Sequence, residues 1–170
     1  MAGIVMVYTG HGKGKTCAAM GQAMRAAGHG LRVCLLQFIK ARPTGESAML
    51  AVLAERIEYH QVGSGFSWQQ KDQALFRETA LAGWQLALEK LAGGYDLLVL
   101  DELTYLIHFG FLTETEVVAA LAARPAGMHV VITGRHAGSE LLAAADLVTE
   151  MRELKHPYRL GIQAQKGVEF

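Results

Sequence analysis

Seven residues near the amino terminus, Gly10-His11-Gly12-Lys13-Gly14-Lys15-Thr16, restrict this chain more than any other segment. Before them runs Ile4-Val5-Met6-Val7-Tyr8, a short apolar stretch suited to a strand buried on both faces. After them Ala19, Met20, Ala23, Met24 and Ala27 recur at helical spacing, and Gly28 and Gly30 mark where that helix stops. Glycines at 10, 12 and 14 free the backbone to aim N–H groups at an anion, and a helix starting near Lys15 adds the positive end of its dipole. Lys15 supplies a mobile positive charge, Lys13 can supply a second, and the Thr16 hydroxyl is a ligand suited to Mg²⁺. The common phosphate-loop pattern is G-x-x-x-x-G-K-[ST]. Gly14-Lys15-Thr16 fits its end, whereas its first glycine would fall on Thr9 and arrives one residue late, at Gly10. A glycine-rich turn with two solvated lysines would need neither the strand before it nor the helix after it. A phosphate cradle needs both.

Val33-Cys34-Leu35-Leu36-Gln37-Phe38 closes a strand–loop–helix–strand unit, the signature of a parallel sheet. The stretch 41–47, with Pro43 and Gly45, reads as a loop, and Ile57 to Val62 as a third strand. Gly63-Ser64-Gly65-Phe66-Ser67-Trp68 is a second glycine-rich segment. The next helix carries Leu81, Trp84, Leu88 and Leu91 on one stripe and ends at Gly93-Gly94. Leu97-Leu98-Val99-Leu100 is a buried strand running into Asp101-Glu102. Thr113 and Glu116 form a capping box for a helix that stops before Pro125. His129-Val130-Val131-Ile132-Thr133 is a strand leading to Gly134-Arg135; a helix from about Ser139 and a strand near Leu147-Val148-Thr149 follow. The tail from Glu153 to Phe170 has no clear periodicity. With no repeat and no linker, residues 1–170 read as one α/β domain, a mostly parallel central sheet flanked by helices.

Charge and cysteine content exclude several classes. Lys plus Arg and Asp plus Glu each number 16, so there is no basic surplus for a nucleic-acid partner, and an anion site must be a local concentration of positive groups. Cys17 and Cys34 fall on different elements without a CxxC, which argues against a disulfide framework or a zinc site and for a reducing, cytoplasmic setting. Met1 to Thr9 lacks a basic leader, and no uncharged apolar stretch reaches the ~20 residues that span a bilayer.

In a parallel sheet, ligands gather at the carboxyl ends of the strands. Asp101 and Glu102 there resemble a metal-holding acidic pair, though an acidic start to a following helix is the plainer alternative. Arg135 is at another such end and could reach a phosphate by a bidentate contact, or stand as a surface arginine. Phe66 and Trp68 either fold back onto the core or form a flat wall for a large planar ligand. His11, His108 and His156 are scattered without ligand spacing, and Cys17 reads as a small packing residue.

Several segments match one family: VYTGHGKGKT (7–16), RAAGHGLRV (25–33), QFIK (37–40), GSGFSW (63–68), VLDELTY (99–105), HVVITGR (129–135), AADLVTEM (144–151) and KHPYRLGIQAQKGVEF (155–170). Along nearly its whole length the sequence resembles the ATP:corrinoid adenosyltransferases of the CobA type. The resemblance implies a RecA-like fold in which ATP lies in the glycine loop in reverse of its usual orientation, touched by Gly10, His11, Gly12, Lys13, Gly14, Lys15, Thr16 and Arg135. It implies attack by a Co(I) corrinoid on the ribose 5′ carbon, release of inorganic triphosphate, and a place in adenosylcobalamin biosynthesis or salvage. It further implies a divalent cation (Mg²⁺ or Mn²⁺) held by Thr16, Glu102 and Asp101, a homodimer, and a flavoprotein or other reductase that supplies Co(I). Phe66 and Trp68 match a segment that excludes the lower axial ligand and leaves cobalt four-coordinate. Two departures stand out: His11 replaces the usual Asn, and the chain starts almost at its first strand where some members carry a covering helix, so a corrinoid site that is either more open or closed by another element is expected. The rival functions are a kinase or ATPase of another reaction type, which would release ADP or phosphate, and a binding module without turnover.

Overall fold

The computed structural model describes residues 2–40, 43–63, 65 and 73–169. Strands β1 (Val5–Thr9), β2 (Val33–Gln37), β3 (Ile57–Gln61), β4 (Leu97–Asp101), β5 (His129–Thr133) and β6 (Leu147–Glu150) form one sheet in the order β3-β2-β4-β5-β1-β6. Every neighbouring pair is parallel. The helices are α1 (Lys15–Gly28), α2 (Gly45–Val52), α3 (Gln73–Leu91), α4 (Thr104–His108), α5 (Glu114–Ala123) and α6 (Ser139–Ala144). Among the described residues no helix is long and apolar enough to cross a membrane.

β2 and β4 are buried at every position, as the unbroken apolar runs predict for strands covered on both faces. On one face, α1 lays Ala19, Met20 and Ala23 against Leu35, Val99 and Val131, and Leu50 of α2 joins them. On the other, Phe76, Trp84 and Leu91 of α3, Val117 and Leu121 of α5 and Leu141 of α6 pack over Leu36, Leu98, Leu100 and Ile132. Each fully buried Leu or Ile contributes about 1.5–3 kcal/mol by leaving water.

Three local outcomes differ from the sequence expectation. Residues 41–47 are not all loop, because α2 begins at Gly45. Its capping box is Thr44 with Ser47, the Thr44 hydroxyl accepting from the Ser47 N–H at 3.3 Å and the Ser47 hydroxyl accepting from the Thr44 N–H at 2.9 Å. A serine in place of Glu or Gln at that position hides the signal. On α3, Trp84 and Leu91 are buried as expected, but Leu81 and Leu88 are only partly so; Phe76, Ala80, Gly83 and Ala87 complete the buried line. Cys17 is exposed, because Ala19, Met20 and Ala23 turn the sheet-facing side of α1 away from it. The Thr113–Glu116 capping box forms as predicted, with the Glu116 carboxylate accepting from the Thr113 N–H at 2.7 Å.

Edge strand β3 is pinned to α3 by polar contacts. The Glu58 carboxylate lies 2.6 Å from Lys90 Nζ and 2.5 Å from His60 Nε2, and it also accepts from the Tyr95 hydroxyl. Hydrogen bonding to Lys90, Tyr95 and His60 pushes the Glu58 carboxyl down to about 2.

Since all strands run the same way, the segments leaving β1, β2, β4 and β5 converge on one edge of the sheet. Three non-glycine residues with left-handed backbone follow three of those strands: Ile39 (φ 60), Glu102 (φ 64) and His136 (φ 61).

Candidate active site

The glycine loop leaves β1 and is buttressed from behind by Met151, the residue after β6. Gly10 has φ 94, and a side chain there would collide with the Met151 carbonyl, so only glycine fits. The Gly12 N–H donates to that carbonyl at 2.7 Å. Of the three glycines expected to offer N–H groups to an anion, Gly12 is therefore committed to the protein. Gly14, with φ 113, is the N-cap of α1, and the first N–H groups of that helix have no partners within it. Lys15 is buried, its ammonium donating to the Gly10 and Gly12 carbonyls at 2.7 Å each. Burial holds its pKa below the ordinary lysine range, and Glu102 works in the other direction.

Asp101 is fully buried and fully engaged. Its carboxylate accepts from Thr133 Oγ1 at 2.6 Å, from Gln37 Nε2 at 2.8 Å and from Thr16 Oγ1 at 3.0 Å, with Lys40 Nζ at 3.8 Å. Glu102 contrasts with it. Its N–H donates to Thr133 Oγ1 at 2.9 Å, and its Oε2 is buried without a hydrogen-bond partner among the described residues. Burial, and then the Asp101 charge, push the Glu102 carboxyl up to about 7. An orphaned carboxylate oxygen in the same cleft as the Thr16 hydroxyl, with a second carboxylate behind that hydroxyl, is a donor set suited to a hard divalent cation.

Gly134 has φ 137, and a side chain there would collide with the Thr104 hydroxyl, which donates to the Arg135 carbonyl. That contact fixes the turn after β5. Arg135, Lys15, Glu102 and His11 then line one cleft of about 290 Å³. Such groups suit a polyphosphate accompanied by a cation, the chemistry of a nucleoside triphosphate.

The family profile described as ATP:corrinoid adenosyltransferase BtuR/CobO/CobP matches residues 1–170. The chain belongs to the ATP:corrinoid adenosyltransferases. It is 45% identical to a corrinoid adenosyltransferase of Pseudomonas aeruginosa, over 99% of this chain and 84% of that one. It is 41% identical to the corrinoid adenosyltransferase CobA of Salmonella typhimurium, over 99% of this chain and 86% of that one. An Escherichia coli corrinoid adenosyltransferase is 42% identical over the same shares.

In this adenosyltransferase the nucleotide and metal candidates from the sequence, from Gly10 to Thr16 with Asp101, Glu102 and Arg135, meet in one place. Phe66 and Trp68 lie outside the described residues. His156 lines the cleft, and His11 and His108 are brought near each other by His136, which spacing alone did not reveal. Sequence reasoning also missed Gln37 and Thr133, the buried partners of Asp101. Both are polar residues closing apolar strands, the same signal that singled out Asp101.

Proposed function

We propose that this chain transfers the 5′-deoxyadenosyl group of ATP to the Co(I) centre of a corrinoid and releases inorganic triphosphate, in making or salvaging adenosylcobalamin. The observation that carries this reading is the family match along the whole chain. The cleft agrees with it, because its groups are suited to a departing polyphosphate. Lys15 exchanges its two loop carbonyls for phosphate oxygens, and Arg135 meets the same tail from the turn after β5. Glu102 and Thr16 would hold a divalent cation, while Asp101, which accepts from Thr133 and Gln37, orients the Thr16 hydroxyl. A cation such as Mg²⁺ or Mn²⁺ held there would supply positive charge to offset the charge growing on the leaving group. The Co(I) electron pair forms the Co–C bond as the C5′–O bond breaks, and that bond's electrons leave with triphosphate. No protein base takes a proton, because the nucleophile carries none.

By family resemblance, Phe66 and Trp68 keep a lower ligand off the cobalt, a flavoprotein or other reductase delivers the electron, and two copies pair. The deciding experiment supplies ATP, Mg²⁺ and a chemically reduced corrinoid and identifies both products. Inorganic triphosphate with a light-sensitive adenosyl-corrinoid is expected; ADP would make the chain a kinase or ATPase of another type.

A further inference from the structure

Three imidazoles meet at the rim of the cleft. His11 comes from the glycine loop, His136 from the turn after β5, and His108 is the last residue of α4. The His11 and His136 rings meet edge to face, 5.4 Å between centroids and 80° between planes. His136 and His108 are stacked at 4.5 Å and 17°. All three are exposed, so burial does not hold them together. His136 also has a left-handed backbone, a conformation that strains a residue with a side chain and leaves a glycine unstrained. Of the trio, only His11 lines the cleft beside Lys15 and Arg135.

We infer that His136, backed by His108, is a positioning residue that holds the His11 ring toward the polyphosphate and makes His11 a proton-dependent phosphate contact. This rests on the cleft being the ATP site.

The charges around the cleft explain why one proton matters there. Lys13, Lys15, Lys40 and Arg135 face it, but so do Glu46, Glu102 and Glu169. Lys13 is paired with Glu169 at 2.8 Å, and Lys40 lies 3.8 Å from Asp101. Tyr105 and His156 are the other titratable groups of the wall, and His156 spends its Nδ1 on the Tyr158 N–H at 3.2 Å. With fixed charges so nearly balanced, a proton on His11 is a large fraction of the net attraction for a polyanion.

Desolvation, then the neighbouring His108, His11 and Arg135, hold His136 below the ordinary imidazole range. A bound polyphosphate pulls the other way, so binding takes up a proton, and affinity rises as pH falls through the imidazole range. Glu102 titrates in the same window, and its protonation loosens the cation and so opposes this trend. Comparing variants that all keep Glu102 isolates the histidines.

The test is calorimetric titration with MgATP, without corrinoid, at about pH 6 and about pH 8. Each titration is run in two buffers of different ionisation enthalpy, on the wild type, His136→Asn, His11→Asn and Lys15→Ala. Asn tolerates the left-handed backbone, so His136→Asn removes the ring and keeps the turn. The wild type is expected to bind roughly three- to tenfold more tightly at the lower pH, with net proton uptake. His136→Asn should lose most of that slope and resemble His11→Asn. A wild type whose affinity rises no more steeply toward low pH than that of His11→Asn, or a His136→Asn variant with the full wild-type slope and uptake, overturns the inference. Lys15→Ala binding MgATP as well as wild type would instead show that the cleft is not the nucleotide site, and the proposed function would fall. Should His136→Asn not fold, ¹⁵N titration of the wild-type imidazoles decides. MgATP raising one ring's midpoint by about half a unit or more supports the contact, and unmoved midpoints overturn it.

Discussion

Glu102 combines three unfavourable features: a left-handed φ of 64, a buried oxygen without a partner, and a charged carboxylate beside it in sequence. Costs of this kind, of order 1–3 kcal/mol each, persist where a ligand relieves them. With its pKa raised to about 7, the group favours folding most fully below the ordinary carboxylate pKa, and that contribution is lost as pH rises through about 7. Metal reverses the trend by binding the ionised form. The Tm of metal-free protein should therefore carry a component that falls between about pH 5 and pH 8, and Mg²⁺ should restore it only at the upper end. In scanning calorimetry, Glu102→Gln should lack both effects, and in the transfer assay it should need more metal for half-maximal rate. Lys15→Ala should lower turnover by about 10²-fold or more while leaving the circular dichroism unchanged, since the lost charge serves the leaving polyphosphate. Gly134→Ala meets both a left-handed φ and the Thr104 hydroxyl, so urea denaturation should show a loss of about 2 kcal/mol or more.

At the scale of elements, the β3–α3 contact is the one held most by charge. Glu58→Gln should weaken it by about 1 kcal/mol and raise amide exchange in β3 before the central strands. Because Glu58 is depressed to about 2, its contribution is present above the ordinary carboxylate pKa and fades as pH falls toward 2. The elements legible in the sequence were those set by local chemistry: apolar runs for β1, β2, β4 and β5, a capping box for α5, and glycine punctuation after α1 and α3. The short α2 and α4 were not, because a Thr–Ser box carries little signal and five residues of α4 hold too little periodicity. The same division runs through the site. Lys15 and Thr16 were singled out by the glycine-loop pattern at the head of α1, and Asp101, Glu102 and Arg135 by the strand ends they occupy or follow. The Gly12–Met151 hydrogen bond and the His11–His136–His108 stack join residues more than 90 positions apart, apart from the His108–His136 pair, and depend on sheet order that no local pattern encodes.

At the scale of the whole molecule, strand order decides what the cleft can contain. β1 lies between β5 and β6, and β4 next to β5, so loop, acidic pair and arginine share an edge although they span positions 10 to 135. If two copies pair as family resemblance implies, sedimentation at micromolar concentration should give about twice the monomer mass; a single monomeric boundary would count against pairing. The sheet also sets an order on biosynthesis. β1 leaves the ribosome ahead of every other strand of the sheet, yet its hydrogen-bonding neighbours are Val130–Thr133 and Leu147–Glu150. The strand that carries the phosphate loop must wait, unpaired, until β5 has been made. A nascent chain arrested before residue 129 should fail to be retained on immobilised ATP however long it is left to fold, so newly made protein gains its ligand only after β5 and β6 have followed β1.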